Sequence, residues 1–178
     1  MATLDAIALS IFQAFDERGA AGSKQRRLHL FSGHDLERWL LKALCGLASS
    51  NSFVLDRHAD LSIPKYWLDI LFSGTQFPDG QGLYVCRSKG HEFKGPSGLA
   101  IQAIISGHGR LTGIGFKICG YELVLSMSGF SSRRFDGREF AYRPLELYAT
   151  ANDFEKSIVF SWDGQADLGT IAVSLGET

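Results

Sequence analysis

The pattern of apolar and polar positions changes once along this chain. Up to about Phe72 apolar residues recur at helical spacing, and from Gly82 onward they mostly alternate with polar ones, as in half-buried strands. Leu4, Ile7, Ala8, Ile11, Phe12 and Phe15 form one narrow stripe and predict a first helix over residues 3–18. Thr3 is its cap and Gly19 its stop. The stripe packs on the body of the protein, or on a partner if the body leaves it uncovered. Gly19–Ser23 reads as a linker, so residues 1–22 stand as a helix with its tether and residues 23–178 as one domain. Lys24–Arg27 is a short basic run, read as a solvated connection, with a phosphate contact as the sharper alternative. Leu28–Phe31 alternates like a short strand.

The densest helix signal follows. Ser32 is an N-cap residue, and Asp35 three positions on completes a capping-box variant. Phe31 and Leu36 occupy the hydrophobic-staple positions. Leu36, Trp39, Leu40, Ala43, Leu44 and Leu47 give a wide apolar arc, and the helix fades into Ala48–Asn51. Arg38 and Lys42 fall on the opposite, solvated side. Glu37 falls inside the arc. A carboxylate there must be paired, because burying a bare charge is costly. His34, one turn earlier, is the nearest candidate partner.

Ser52–Leu55 reads as extended, and Asp56–Asp60 as a polar turn whose Asp56, His58 and Asp60 are the weak candidates for gripping a divalent metal. Residues 62–73 predict a third helix with Pro64 in its first turn, Trp67, Leu68, Leu71 and Phe72 on its buried face, and Gly74 after its end. Pro78-Asp-Gly80 is a turn. Strands are then expected at Leu83–Arg87, Leu99–Ser106, Leu111–Cys119, Tyr121–Ser128, Phe140–Ala149, Lys156–Trp162 and Leu168–Leu175, with residues 99–128 forming an antiparallel meander. Gly113 and Gly115 bare one face of their strand, where a bulky helix side chain is expected to pack. Pro144 favours an edge position or an irregular strand. Helices first and strands afterwards predict an α+β fold: N-terminal helices packed on one face of a largely antiparallel sheet of about six or seven strands.

Composition narrows the function classes. The chain has 178 residues, 45% of them hydrophobic and 21% charged, which is ordinary for a soluble globular protein. A net charge of −1 argues against a surface built throughout for nucleic acid or anionic membrane. Cys45, Cys86 and Cys119 lie apart, in no metal-ligand spacing, and predict free thiols in a reducing compartment. No signal-peptide pattern or membrane-length apolar run is visible, so the expected location is the cytoplasm. Phosphate-loop, dinucleotide, HExxH and GxSxG motifs are absent, and no cofactor is called for.

Two short runs stand out without an attached activity, Gly33-His-Asp-Leu-Glu-Arg-Trp39 and Phe140-Ala-Tyr-Arg-Pro144. The leading functional expectation is a non-catalytic binding or assembly domain, with a protein partner or self-association through the helix of residues 3–18. A second reading is a metal-assisted hydrolase or nuclease using His34 and Glu37, with Asp56, His58 or His91 added. The third is phosphate or nucleic-acid binding by Arg133, Arg134 and Arg138, interleaved with Phe130 and Phe135, with Arg38 as a further ligand candidate.

Overall fold

A computed structural model describes residues 2–16, 25–50, 62–87, 100–118, 120–129, 134–135, 138–151, 154–163 and 169–174. The protein is α+β. Its elements are α1 (Ala2–Asp16), β1 (Gln25–Ser32), α2 (Gly33–Ser49), α3 (Lys65–Ser73), β2 (Gly82–Arg87), β3 (Ala100–Ile105), β4 (Leu111–Ile118), β5 (Tyr121–Ser126), β6 (Arg134–Phe135), β7 (Arg138–Glu139), β8 (Ala141–Tyr142), β9 (Glu146–Ala151), β10 (Phe154–Ser161) and β11 (Gly169–Ser174). The chain forms two compact units, residues 1–36 with 144–178, and residues 37–143. No helix among the described residues is long and apolar enough to cross a membrane.

The first unit is built on a four-stranded sheet of order β11-β1-β10-β9. β1 runs parallel to β10 and antiparallel to β11, and β9 runs antiparallel to β10. β1 begins at Gln25, so the basic run expected as a solvated connection is largely strand; pairing on both sides holds it extended. The apolar stripe of α1 is buried at Leu4, Ile7, Ala8, Ile11, Ala14 and Phe15. Lys156, itself buried, closes the helix: its Nζ donates to the carbonyls of Ala14, at 2.9 Å, and Phe15. A cation on the last free carbonyls satisfies both the orphan acceptors and the helix dipole.

Register places Arg27 opposite Lys156 and His29 opposite Ile158 on one face of the sheet. His29 is buried, with its ring parallel to that of Phe31 at 6.3 Å between centroids. Burial first, then the charges of Lys156 and Arg27, hold the imidazole below its usual pKa. The native state therefore keeps His29 neutral where the unfolded chain takes a proton. Stability is full above about pH 6.5 and falls as the pH drops from there towards the lowered native value. Urea midpoints measured at about pH 7.5 and 5.5 should show this loss, and His29→Phe should flatten it.

The second unit carries a five-stranded sheet of order β3-β4-β5-β2-β8, antiparallel at every pairing, and the two-stranded β6-β7. The strands thus fall into separate sheets, because alternation identifies a strand but not its neighbour. Trp39 of α2 packs on Phe116 of β4 at 5.8 Å between ring centroids. On the opposite face, in register with Gly115, lie Val124 and Tyr84, which join Cys86 and Phe140 in a buried cluster, and Tyr142, which packs partly buried against it. The helix tryptophan therefore packs on the face away from the glycines. A side chain at Gly113 would collide with the backbone oxygen of Leu125, whereas one at Gly115 meets Val124 at an ordinary 3.7 Å. Gly113→Ala should accordingly cost about 1–3 kcal/mol, read as a lower urea midpoint, and Gly115→Ala much less.

α3 starts after Pro64 and ends at Gly74, whose φ of 68° is the left-handed cap that glycine supplies. Its buried residues are Trp67, Ile70 and Leu71, while Leu68 and Phe72, expected inside, are exposed. The helix has turned by one position: Trp67, Ile70 and Leu71 make an i, i+3, i+4 face, and Leu68 and Phe72 lie on the stripe beside it.

The expected strand Phe140–Ala149 is broken into β8 and β9. Arg143 takes a left-handed φ of 45° and Pro144 has no amide to continue a ladder, so the chain turns out of the sheet there.

Candidate functional site

Glu37 is the buried charge that the sequence singles out, and its side chain is fully inaccessible. The Ser32 hydroxyl accepts the Asp35 amide at 3.2 Å, which fixes the start of α2. Glu37 follows in the next turn and belongs to the second unit. Its Oε1 accepts the Leu83 amide at 2.8 Å and Arg143 Nε at 2.9 Å, and its Oε2 accepts Arg143 Nη2 at 3.1 Å. The ion pair is bidentate, the geometry in which guanidinium and carboxylate bind most strongly. Arg143 is 22% exposed. Burial alone would lower the pKa of its guanidinium; the hydrogen bond and charge of Glu37 outweigh that and raise it.

This arrangement finishes a sheet edge. β2 pairs with β8 at Tyr84 and Val85. One residue further, the Leu83 carbonyl still accepts the Arg143 amide, at 2.9 Å. Arg143 then turns away, and Glu37 Oε1 takes the Leu83 N–H instead. The carboxylate stands where a neighbouring strand would offer a carbonyl, and so satisfies a buried amide that would otherwise be costly.

The surroundings are arranged for that fit. Gly82 has φ 131°, and a side chain there would run into Glu37 Oε1. Gln81 donates its amide to Pro78 O at 2.9 Å and so closes the expected turn. Tyr84 and Tyr142 donate their hydroxyls to Gly80 O at 2.6 Å and to Gln81 O at 3.0 Å. Their rings lie 4.9 Å apart, and the Arg143 guanidinium sits 5.1 Å from the Tyr142 centroid. Burial, partly offset by Arg143, raises the Tyr142 pKa, so the hydroxyl keeps its proton for donation.

The other candidates have separate placements. His34, the local partner expected for Glu37, has Nε2 at 2.6 Å from Trp162 O and stands edge-on to the Trp162 ring. A carbonyl only accepts, so Nε2 carries the proton. Gly33 lies against that indole: a side chain there would come within 2.6 Å of it. Arg38, expected on the solvated face, is half-buried and donates Nη2 to Leu71 O at 2.8 Å, near the C-terminus of α3. Arg134 pairs with Glu139 and Arg138 with Phe135 in the β6-β7 hairpin backbone. Arg133, Phe130, Asp56, His58, Asp60 and His91 lie outside the described residues. Among the described residues no group of three or more His, Cys, Asp or Glu could hold a metal ion.

Sequence reasoning marked Glu37 but missed Arg143, Gly82, Tyr84 and Tyr142. One signal was present: the Glu37–Arg143 pair joins the two runs that stood out, residues 33–39 and 140–144. No family model, curated protein or solved structure matches the chain.

Proposed function

We propose that the protein is a non-catalytic binding or assembly domain. The observation that carries this reading is the use made of Glu37. Both of its oxygens are held by structural donors, and none of its surface meets solvent. A general base or metal ligand must reach a substrate or an ion, and must give up one set of bonds to gain another. Here that exchange would leave the Leu83 amide and Arg143 uncompensated. The inward-turned stripe of α1 supports placing the binding surface elsewhere on the chain. Cys45 and Cys86, both buried and in no disulfide, support a reducing compartment such as the cytoplasm; burial pushes the Cys45 thiol up to about 11, which makes it a poor nucleophile.

The test compares the full-length protein with Glu37→Gln, both shown to be folded, for bound metal and for turnover of phosphodiester and ester reporters. The reading expects no stoichiometric metal and no turnover that depends on Glu37. Stoichiometric zinc, manganese or magnesium that the variant loses, or turnover that it abolishes, would overturn it.

A further inference from the structure

The five-stranded sheet ends on β8 and β3, and these two edges are finished differently. β8 is two residues long, and beyond it Glu37 and Arg143 take the hydrogen bonds of Leu83. β3 is six residues long and, among the described residues, pairs with β4 alone. Its sequence, Ala-Ile-Gln-Ala-Ile-Ile, has no charge, no proline and no glycine. Charges and prolines are the usual means of stopping an edge from pairing with another chain. A six-residue segment that is uncharged and rich in β-branched side chains is the composition that does pair. Gln102 and Ile105 are exposed. The irregularity in the β3-β4 ladder falls on β4, where Thr112 is the extra residue between the partners of Ile104 and Ile105. The Thr112 hydroxyl donates to Ile104 O at 3.2 Å, so β3 is held to β4 from within and keeps its own alternation.

We propose that β3 pairs antiparallel with β3 of a second copy of this chain, continuing the sheet across a two-fold axis. The proposal rests on the binding-domain reading and supplies its partner. The occupant follows from the residues that would meet. An axis through Ala103 sets Ala103 opposite itself, Gln102 opposite Ile104, and Ile101 opposite Ile105. Each position faces one of the same sheet side, as the pleat requires. Every pair is uncharged, so the like-charge repulsion that opposes self-pairing of most edges is absent. Ala103, a small side chain, lies on the axis. A net charge of −1 gives two copies little long-range repulsion. Two-fold pairing is self-complementary and closes at two copies.

Sedimentation equilibrium of the full-length protein, from about 1 to 500 μM, tests this. The expected result is a mass rising from that of one 19.5 kDa chain to that of two. Gln102 is exposed and tolerates charge, so Gln102→Lys should weaken association about tenfold without altering the fold. Mixing Gln102→Lys with Gln102→Glu should restore it, because the two 102 side chains are diagonal neighbours across the axis, about 7–8 Å apart. A monomer throughout the range overturns the proposal. So does a dimer indifferent to both substitutions, which would keep the binding-domain reading and remove β3 as its surface. The metal and turnover measurements bear on that reading alone.

Discussion

Arg143→Ala is expected to lower stability by about 3–5 kcal/mol, the cost typical of removing one partner from a buried ion pair. The cost arises on the carboxylate side. Glu37 is fully inaccessible, and Arg143→Ala takes from its buried charge the two guanidinium donors, one to each oxygen, while Leu83 still donates to Oε1. Alanine would also inherit the left-handed φ of 45°. Arg143→Gly loses the same pair but relieves the backbone, and should be about 1 kcal/mol less destabilised than the alanine variant. Arg143→Lys keeps the charge and loses the two-point geometry, and should fall between wild type and alanine. Urea titrations of the set separate the three contributions, provided m stays constant.

Gly82→Ala should cost about 2–5 kcal/mol, from two sources. The residue sits at φ 131°, where an L side chain is strained, and its new methyl group would occupy the place of Glu37 Oε1. Glu37 cannot retreat without releasing Leu83 and Arg143. The two substitutions therefore act on one assembly, and Gly82→Ala combined with Arg143→Ala should lose less than the sum of the singles. Additive losses would mean that the glycine matters for its backbone alone.

The parts of this arrangement that the sequence makes legible are local. Ser32 and Asp35 mark the start of α2, and the wheel isolates Glu37 as a charge in an apolar arc, because both depend on neighbours within a turn or two. The partner of Glu37 lies 106 residues away in sequence, and no periodicity encodes that distance. Arg143 is further hidden by its company: in Phe140-Ala-Tyr-Arg-Pro144 the proline signals an irregular strand, but not that the preceding arginine turns left-handed and points inward. The same limit explains β1, whose basic start looks like a connection until its parallel partner Phe154–Ser161 is known. On α3 the error is one of phase. With Trp67, Leu68, Ile70, Leu71 and Phe72 all apolar, helical spacing alone does not decide which stripe is buried.

Hydrogen exchange of the Leu83 amide is the most direct measurement of whether Glu37 serves as the acceptor that closes the sheet edge. In the wild type that amide should exchange as slowly as those of the neighbouring β2 and β5 residues. In Glu37→Ala it should accelerate well beyond Val85 and Leu125, which keep their strand partners, while Glu37→Gln, still offering a side-chain oxygen, should retain much of the protection. If Leu83 instead stays protected in Glu37→Ala, or changes only in step with the rest of the sheet, the carboxylate does not close the edge, and the structural role assigned to Glu37 is wrong.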